Sequence, residues 1–192
     1  FSRLSFKMNR IKHASGKRLK KVIYHGFSDK NRCSIVDRLH ERYNWVPVLM
    51  LGLDGESKQI KNWSNKFNDL VLLDTMKLRT ADFDYSYIGE STPIDREVLD
   101  KLSRYESSYL DNLDDVTGWA FSFTERRSFY RDMLKYMNSI LHNFQPDLVV
   151  FSTWPHTNSC LAMYYLCKHC LNIDVIFLDA MPLFGGGYHF VG

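Results

Sequence analysis

The chain has 192 residues, a mass of 22.6 kDa and a formal net charge of +3, with 45% hydrophobic and 24% charged residues. That suits one globular domain and excludes disorder, collagen or a coiled coil as its main character. No apolar run reaches the ~18–20 residues needed to span a bilayer, and no secretory pattern opens the chain. Charge is uneven. Eight basic residues (Arg3, Lys7, Arg10, Lys12, Lys17, Arg18, Lys20, Lys21) precede the first acid, Asp29. The remainder is net acidic, so no nucleic-acid groove is expected. A basic arm over 1–19 and an α/β domain over 20–192 follow from this division. The arm suits a solvated tail or a peripheral contact with an anionic membrane surface.

Lys21-Val-Ile-Tyr24 reads as the first strand, ending in His25-Gly26, and Ser28 reads as the cap of a helix bearing Ile35, Val36, Leu39 and Tyr43. Val46 to Leu51 is a second, buried strand closed by Gly52. Ile60, Trp63 and Phe67 mark a short helix, and Leu70 to Leu73 a third strand. Thr75 to Pro93 reads as a long polar loop. A helical pair over 95–145 is inserted next. Val98, Leu102, Tyr105, Tyr109 and Leu113 stripe its first helix; Phe129, Met133, Met137, Ile140, Leu141 and Phe144 stripe its second, which starts near Thr124. Pro146-Asp147 stops that helix, and Leu148 to Phe151 is the fourth strand. Thr157 or Asn158 caps the following helix, Asn172 ends it, and Val175 to Leu178 is the fifth strand. A glycine-rich loop closes the chain.

Continuous apolar strands alternating with helices predict a Rossmann-like, doubly wound parallel sheet of about five strands in the order 3-2-1-4-5. Cys160, Cys167 and Cys170 share one helix with Met163, Tyr164 and Leu171 at helical spacing. Small thiols on a buried face explain them, and this usage suits a reducing cytoplasm. Cys167 and Cys170 have half-site spacing for zinc, but no second pair completes four ligands, so no metal is expected.

In an open parallel sheet, ligands bind outside the carboxyl ends of the strands where the strand order reverses. Two segments leave the sheet at that point, Tyr24 to Phe27 and Ser152 to His156. Each carries a histidine and leads to a helix N-terminus, which favours anions. His156 and His25 are the candidate catalytic residues. His156 suits a general base for a hydroxyl, or a phosphate or carboxylate contact. Gly26, Ser152, Thr153, Trp154 and Thr157 are the candidate substrate-binding residues. No G-x-G-x-x-G, P-loop or G-x-S-x-G motif is present, which disfavours a dinucleotide site and a small-molecule hydrolase. Asp82-Phe-Asp84 has a D-x-D pattern that reads as an acidic solvated loop.

The run Gln145 to His156, followed by Tyr164-Tyr-Leu-Cys-Lys168 and Ile173-Asp-Val-Ile-Phe177, resembles bacterial capsular and surface-polysaccharide biosynthesis proteins. Tyr105-Glu106 and Phe123 to Arg127 fit the same group. The resemblance implies the acceptor-side, amino-terminal half of a GT-B-like glycosyltransferase. It further implies a sugar or lipid-linked saccharide acceptor, a carboxy-terminal donor-binding half, and a nucleotide-sugar donor for the full-length enzyme. It implies no cofactor in this chain, which alone would be inactive, and a cytoplasmic location at the inner face of the membrane. A start without Met and an end just after a glycine loop fit a piece of a longer protein. The alternative is a noncatalytic sugar-binding or scaffold module.

Overall fold

The computed structural model describes residues 18–27, 30–52, 65–67, 69–88, 91–117, 121–180 and 188–191. The elements in chain order are β1 (Lys20–His25), α1 (Lys30–Tyr43), β2 (Trp45–Gly52), β3 (Val71–Asp74) and α2 (Thr75–Arg79). Then come α3 (Arg96–Thr117), α4 (Phe123–Phe144), β4 (Leu148–Phe151), α5 (Asn158–Leu166), β5 (Asp174–Ala180) and β6 (Tyr188–Val191). The sheet order is β3-β2-β1-β4-β5-β6. The first five strands are parallel, in the expected 3-2-1-4-5 order. The sixth, β6, adds antiparallel to β5.

The central strands are apolar along their length because both faces are covered. Val22, Tyr24, Met50, Leu148 and Val150 pack on Cys33, Val36 and Leu39 of α1. Ile23, Leu49, Leu51, Val149 and Phe151 pack on the opposite side against α3, α4 and α5. Met133, Leu134, Met137, Ile140 and Leu141 of α4 are each at most 2% exposed. Burial of each such side chain is worth ~1.5–3 kcal/mol, which outweighs the mixed polarity of that helix. Pro47 sits within β2 opposite Val22 of β1, ahead of the β3 ladder, which begins at Leu49. It is tolerated because the β1–β2 register slips there, Val22 facing Pro47 and Ile23 facing Leu49, so a bulge absorbs the missing N–H.

Several boundaries differ from the sequence reading. The stretch 75–93 is not a continuous loop: Asp74 caps α2 through Met76 N–H, and Asp84 caps a 3₁₀ turn over Tyr85–Tyr87. Short local caps carry no apolar period, so hydrophobic spacing missed them. α4 starts earlier, with Ser122 and Glu125 forming a reciprocal capping box. Gln145 ends it with φ 46°, and Asn172 ends the cysteine helix with φ 49° after a π turn over Cys167–Leu171. Within the expected closing loop, β5 runs on to Ala180 and Tyr188–Val191 forms β6. The Ser28 cap, Ile60, Trp63, Gly185 to Gly187 and basic-arm residues 1–17 lie outside the described residues. At the described end of the arm, Arg18 pairs with Asp147 at 3.6 Å. Among the described residues, no helix is long and apolar enough to cross a membrane.

Candidate functional site

The site follows from strand register. His25, the last residue of β1, pairs with Leu51 on one side and Phe151 on the other. The segments after β1 and β4 therefore leave the sheet side by side. Ser152 N–H donates to the His25 carbonyl at 2.9 Å, and Gly26 N–H to the Leu51 carbonyl. Gly26 has φ +84°, and a Cβ there would lie 2.3 Å from Ser152 Oγ. Only glycine brings the two turns this close.

Beside this contact lies a crevice of about 150 Å³. His25, Gly26, Ser152, Thr153, His156 and Thr157 all line it, so the sequence-predicted residues converge with one exception. Trp154 is outside the lining. It stands 49% exposed and stacks on Phe177 at 4.7 Å. Sequence reasoning missed Arg32, Thr75, Arg79, Phe151 and Cys160, which complete the described wall. Thr75 and Arg79 share one face of α2 at i, i+4, invisible while that segment read as a loop.

The two histidines differ in chemistry. His25 is 7% exposed, and its Nε2 lies 3.1 Å from Ser159 Oγ. Burial, with the neighbouring His156 adding, pushes its pKa down to about 3, so the ring is neutral near pH 7. His156 is exposed, and its Nδ1 lies 2.7 Å from the Trp154 carbonyl. A carbonyl only accepts, so Nδ1 carries a proton, and whenever the ring is neutral Nε2 is its acceptor.

The start of α5 is fixed by sulfur. Cys160 Sγ accepts from Thr157 N–H at 3.1 Å and from His156 N–H at 3.3 Å. It is buried, as expected for a core thiol, yet it caps the turn carrying His156. Arg32 Nη1 donates to the Gly26 carbonyl at 3.0 Å, bracing the β1 turn from α1. The crevice wall thus holds two guanidinium groups, four hydroxyls and two imidazoles. It holds no carboxylate among the described residues. Among the described residues, no group of three or more His, Cys, Asp or Glu side chains is placed to hold a metal ion.

No family model matches the chain, and no curated protein matches it. Among solved structures it is similar to a pantoate-beta-alanine ligase from Francisella tularensis complexed with beta-gamma ATP and beta-alanine. The identity is 10% and the TM-score 0.40, over 85% of this chain and 61% of that one. The chain thus spans less than two thirds of the ligase's length. It is also similar to a CDPS from Fluoribacter dumoffii, at 10% identity and a TM-score of 0.45, over 90% of each chain. No residue role or activity is carried over from either.

These findings correct the resemblance to capsular-polysaccharide glycosyltransferases, since neither neighbour is one. The acceptor-side role and the sugar-binding or scaffold alternative fall with it. The fold accounts for the residues that carried the resemblance. Leu148 to Phe151 is a fully buried strand, and Tyr165, Leu166 and Cys167 are core contacts of α5 and its π turn. Packing in this layout calls for such residues without reference to any sugar.

Proposed function

We propose that the crevice between the ends of β1 and β4 binds the phosphate or carboxylate of a small molecule, with His156 Nε2 accepting a proton from the bound ligand. One observation carries this reading: the crevice wall combines Arg32 and Arg79 with the hydroxyls of Ser152, Thr153 and Thr157 at the start of α5, with no carboxylate among its described lining. The first-turn N–H groups of a helix lack intrahelical carbonyl partners and carry the positive end of its dipole. Such a turn beside the Arg79 guanidinium, with Arg32 adding its positive charge, attracts an anion, and a guanidinium such as that of Arg79 grips phosphate or carboxylate in a bidentate fork. His25, held neutral and bonded to Ser159, orients the wall and leaves proton exchange to His156.

Calorimetric titration with inorganic pyrophosphate tests the reading. Arg79→Gln removes one charge-assisted contact worth ~1.5–3 kcal/mol, so affinity falls tenfold or more with an unchanged melting temperature. Equal affinity for wild type and variant overturns it.

A further inference from the structure

A second cavity of about 260 Å³ opens at the same sheet edge, beyond the ends of β2 and β3. Its position follows from register, since Gly52 at the end of β2 pairs with Asp74 at the end of β3, and both line it. Its chemistry differs from that of the crevice. Met50, Leu72, Leu73 and Leu78 give it an apolar floor, while Asp74, Asp82 and Asp84 stand in its wall.

The two spaces share their partitions. Gly26 lines the crevice, and the next residue, Phe27, lines the larger cavity. Thr75 and Arg79 of α2 face the crevice, whereas Asp74, Lys77 and Leu78 face the cavity. Among the described residues, one short helix and one turn divide them. The larger cavity alone falls short of the ~300–1,000 Å³ usual for a small-molecule site, and the two together fall within it.

Resting on the anion reading above, we infer that the two spaces hold one ligand, a nucleoside phosphate, with its phosphates in the crevice and its nucleoside in the larger cavity. The charge pattern fixes that orientation. In the described lining, three carboxylates against Lys77 repel a phosphate from the cavity, and the arginine-bearing crevice accepts it. Carboxylates in turn accept hydrogen bonds from a vicinal diol or an exocyclic amine. Asp74 and Asp84 each bond a backbone N–H through Oδ1, to Met76 and Ser86 at 2.8 and 2.9 Å. Their positions are therefore set; the Ser86 side chain also bonds the Asp84 carboxylate, while Asp74 keeps a second oxygen. Among the described residues, the Asp82 carboxylate has no ion-pair partner. The apolar floor suits the face of a base. Tyr87 lines the cavity with half its surface exposed and packs on no other aromatic ring among the described residues, a free platform for stacking.

Binding of ADP, GDP, CDP, UDP and inorganic pyrophosphate is measured by calorimetry on the chain, its Asp82→Ala/Tyr87→Ala double variant and its Arg79→Gln variant. At least one nucleoside diphosphate should bind tenfold or more tightly than pyrophosphate. The double variant should lose that preference while keeping its pyrophosphate affinity, and Arg79→Gln should weaken both. If no nucleotide exceeds pyrophosphate, or the preference survives in the double variant, the nucleoside cavity is refuted while the anion reading stands. If pyrophosphate does not bind, or Arg79→Gln changes nothing, the anion reading fails and the spanning ligand with it. Thermal melts of both variants verify folding. Should the double variant unfold, Asp82→Asn alone must reduce the preference at least threefold, and its failure to do so refutes the inference.

Discussion

Replacing Gly26 by alanine tests how the crevice is held together. At φ +84° a side chain costs ~1–2 kcal/mol through clash with its own backbone. The new Cβ also meets Ser152 Oγ at 2.3 Å, well inside contact distance, and Ser152 is 4% exposed with little room to retreat. Overpacking of that kind costs a further ~1–3 kcal/mol. Gly26→Ala should therefore lose ~2–5 kcal/mol, a large share of a typical domain's stability. The partner change separates the two causes. In Gly26→Ala/Ser152→Ala the hydroxyl is gone, and the nearest remaining atom of Ser152 is Cβ at 3.4 Å. The double variant should recover the overpacking part and retain only the backbone cost. Urea unfolding monitored by far-UV circular dichroism reads each step. A Gly26→Ala protein within 0.5 kcal/mol of wild type refutes the close approach of the two turns. A double variant no better than the single refutes Ser152 as its cause.

Three further outcomes follow. Because the His25 pKa is lowered on folding, the unfolded chain binds more protons at low pH. Stability is full above about pH 6.5 and falls by up to ~1.4 kcal/mol per pH unit as pH drops toward 3; unfolding curves of His25→Gln, measured over that range, should show a shallower loss. Ser122→Ala, which removes one arm of the α4 capping box, should cost ~1 kcal/mol in urea, whereas Ser122→Asp should cost little. Asn158 is 2% exposed, and neither side-chain polar atom is bonded among the described residues, so Asn158→Leu should keep or raise the melting temperature, and a fall of several degrees would contradict that.

The sheet was legible because its strands are unbroken apolar runs: Val22 to Tyr24, Leu49 to Leu51 and Leu148 to Phe151 are buried on both faces. Strand order then followed from the usual connectivity of a doubly wound sheet, and the convergence of His25 and His156 followed from strand order. What escaped notice lacks a hydrophobic period. α2 spans only five residues, and its start is set by one aspartate side chain. With α2 unseen, Arg79 had no assignable direction and the wall of the crevice was missed. β6 pairs antiparallel at the sheet edge, and Tyr188 to Val191 is too short a run to stand out from the glycine-rich sequence before it. Trp154, a candidate through its place in the Ser152 to His156 segment, stands outside the described crevice lining. Its stacking on Phe177 is set by the fifth strand, which local sequence does not reveal. The strings that suggested a polysaccharide enzyme are core and turn positions, where packing selects similar residues in unrelated chains.

The central claim is that the β1/β4 crevice is an anion site. A titration of the ¹⁵N-labelled chain with inorganic pyrophosphate at ~0.15 M salt, followed by amide chemical shifts, tests it most directly. The account predicts saturable changes concentrated at Gly26, Thr153 and His156 to Cys160, with the His156 ring shifting in step. Changes spread over exposed basic positions such as Arg96, Lys101 and Arg104 of α3, or no saturable change at the crevice, would contradict it.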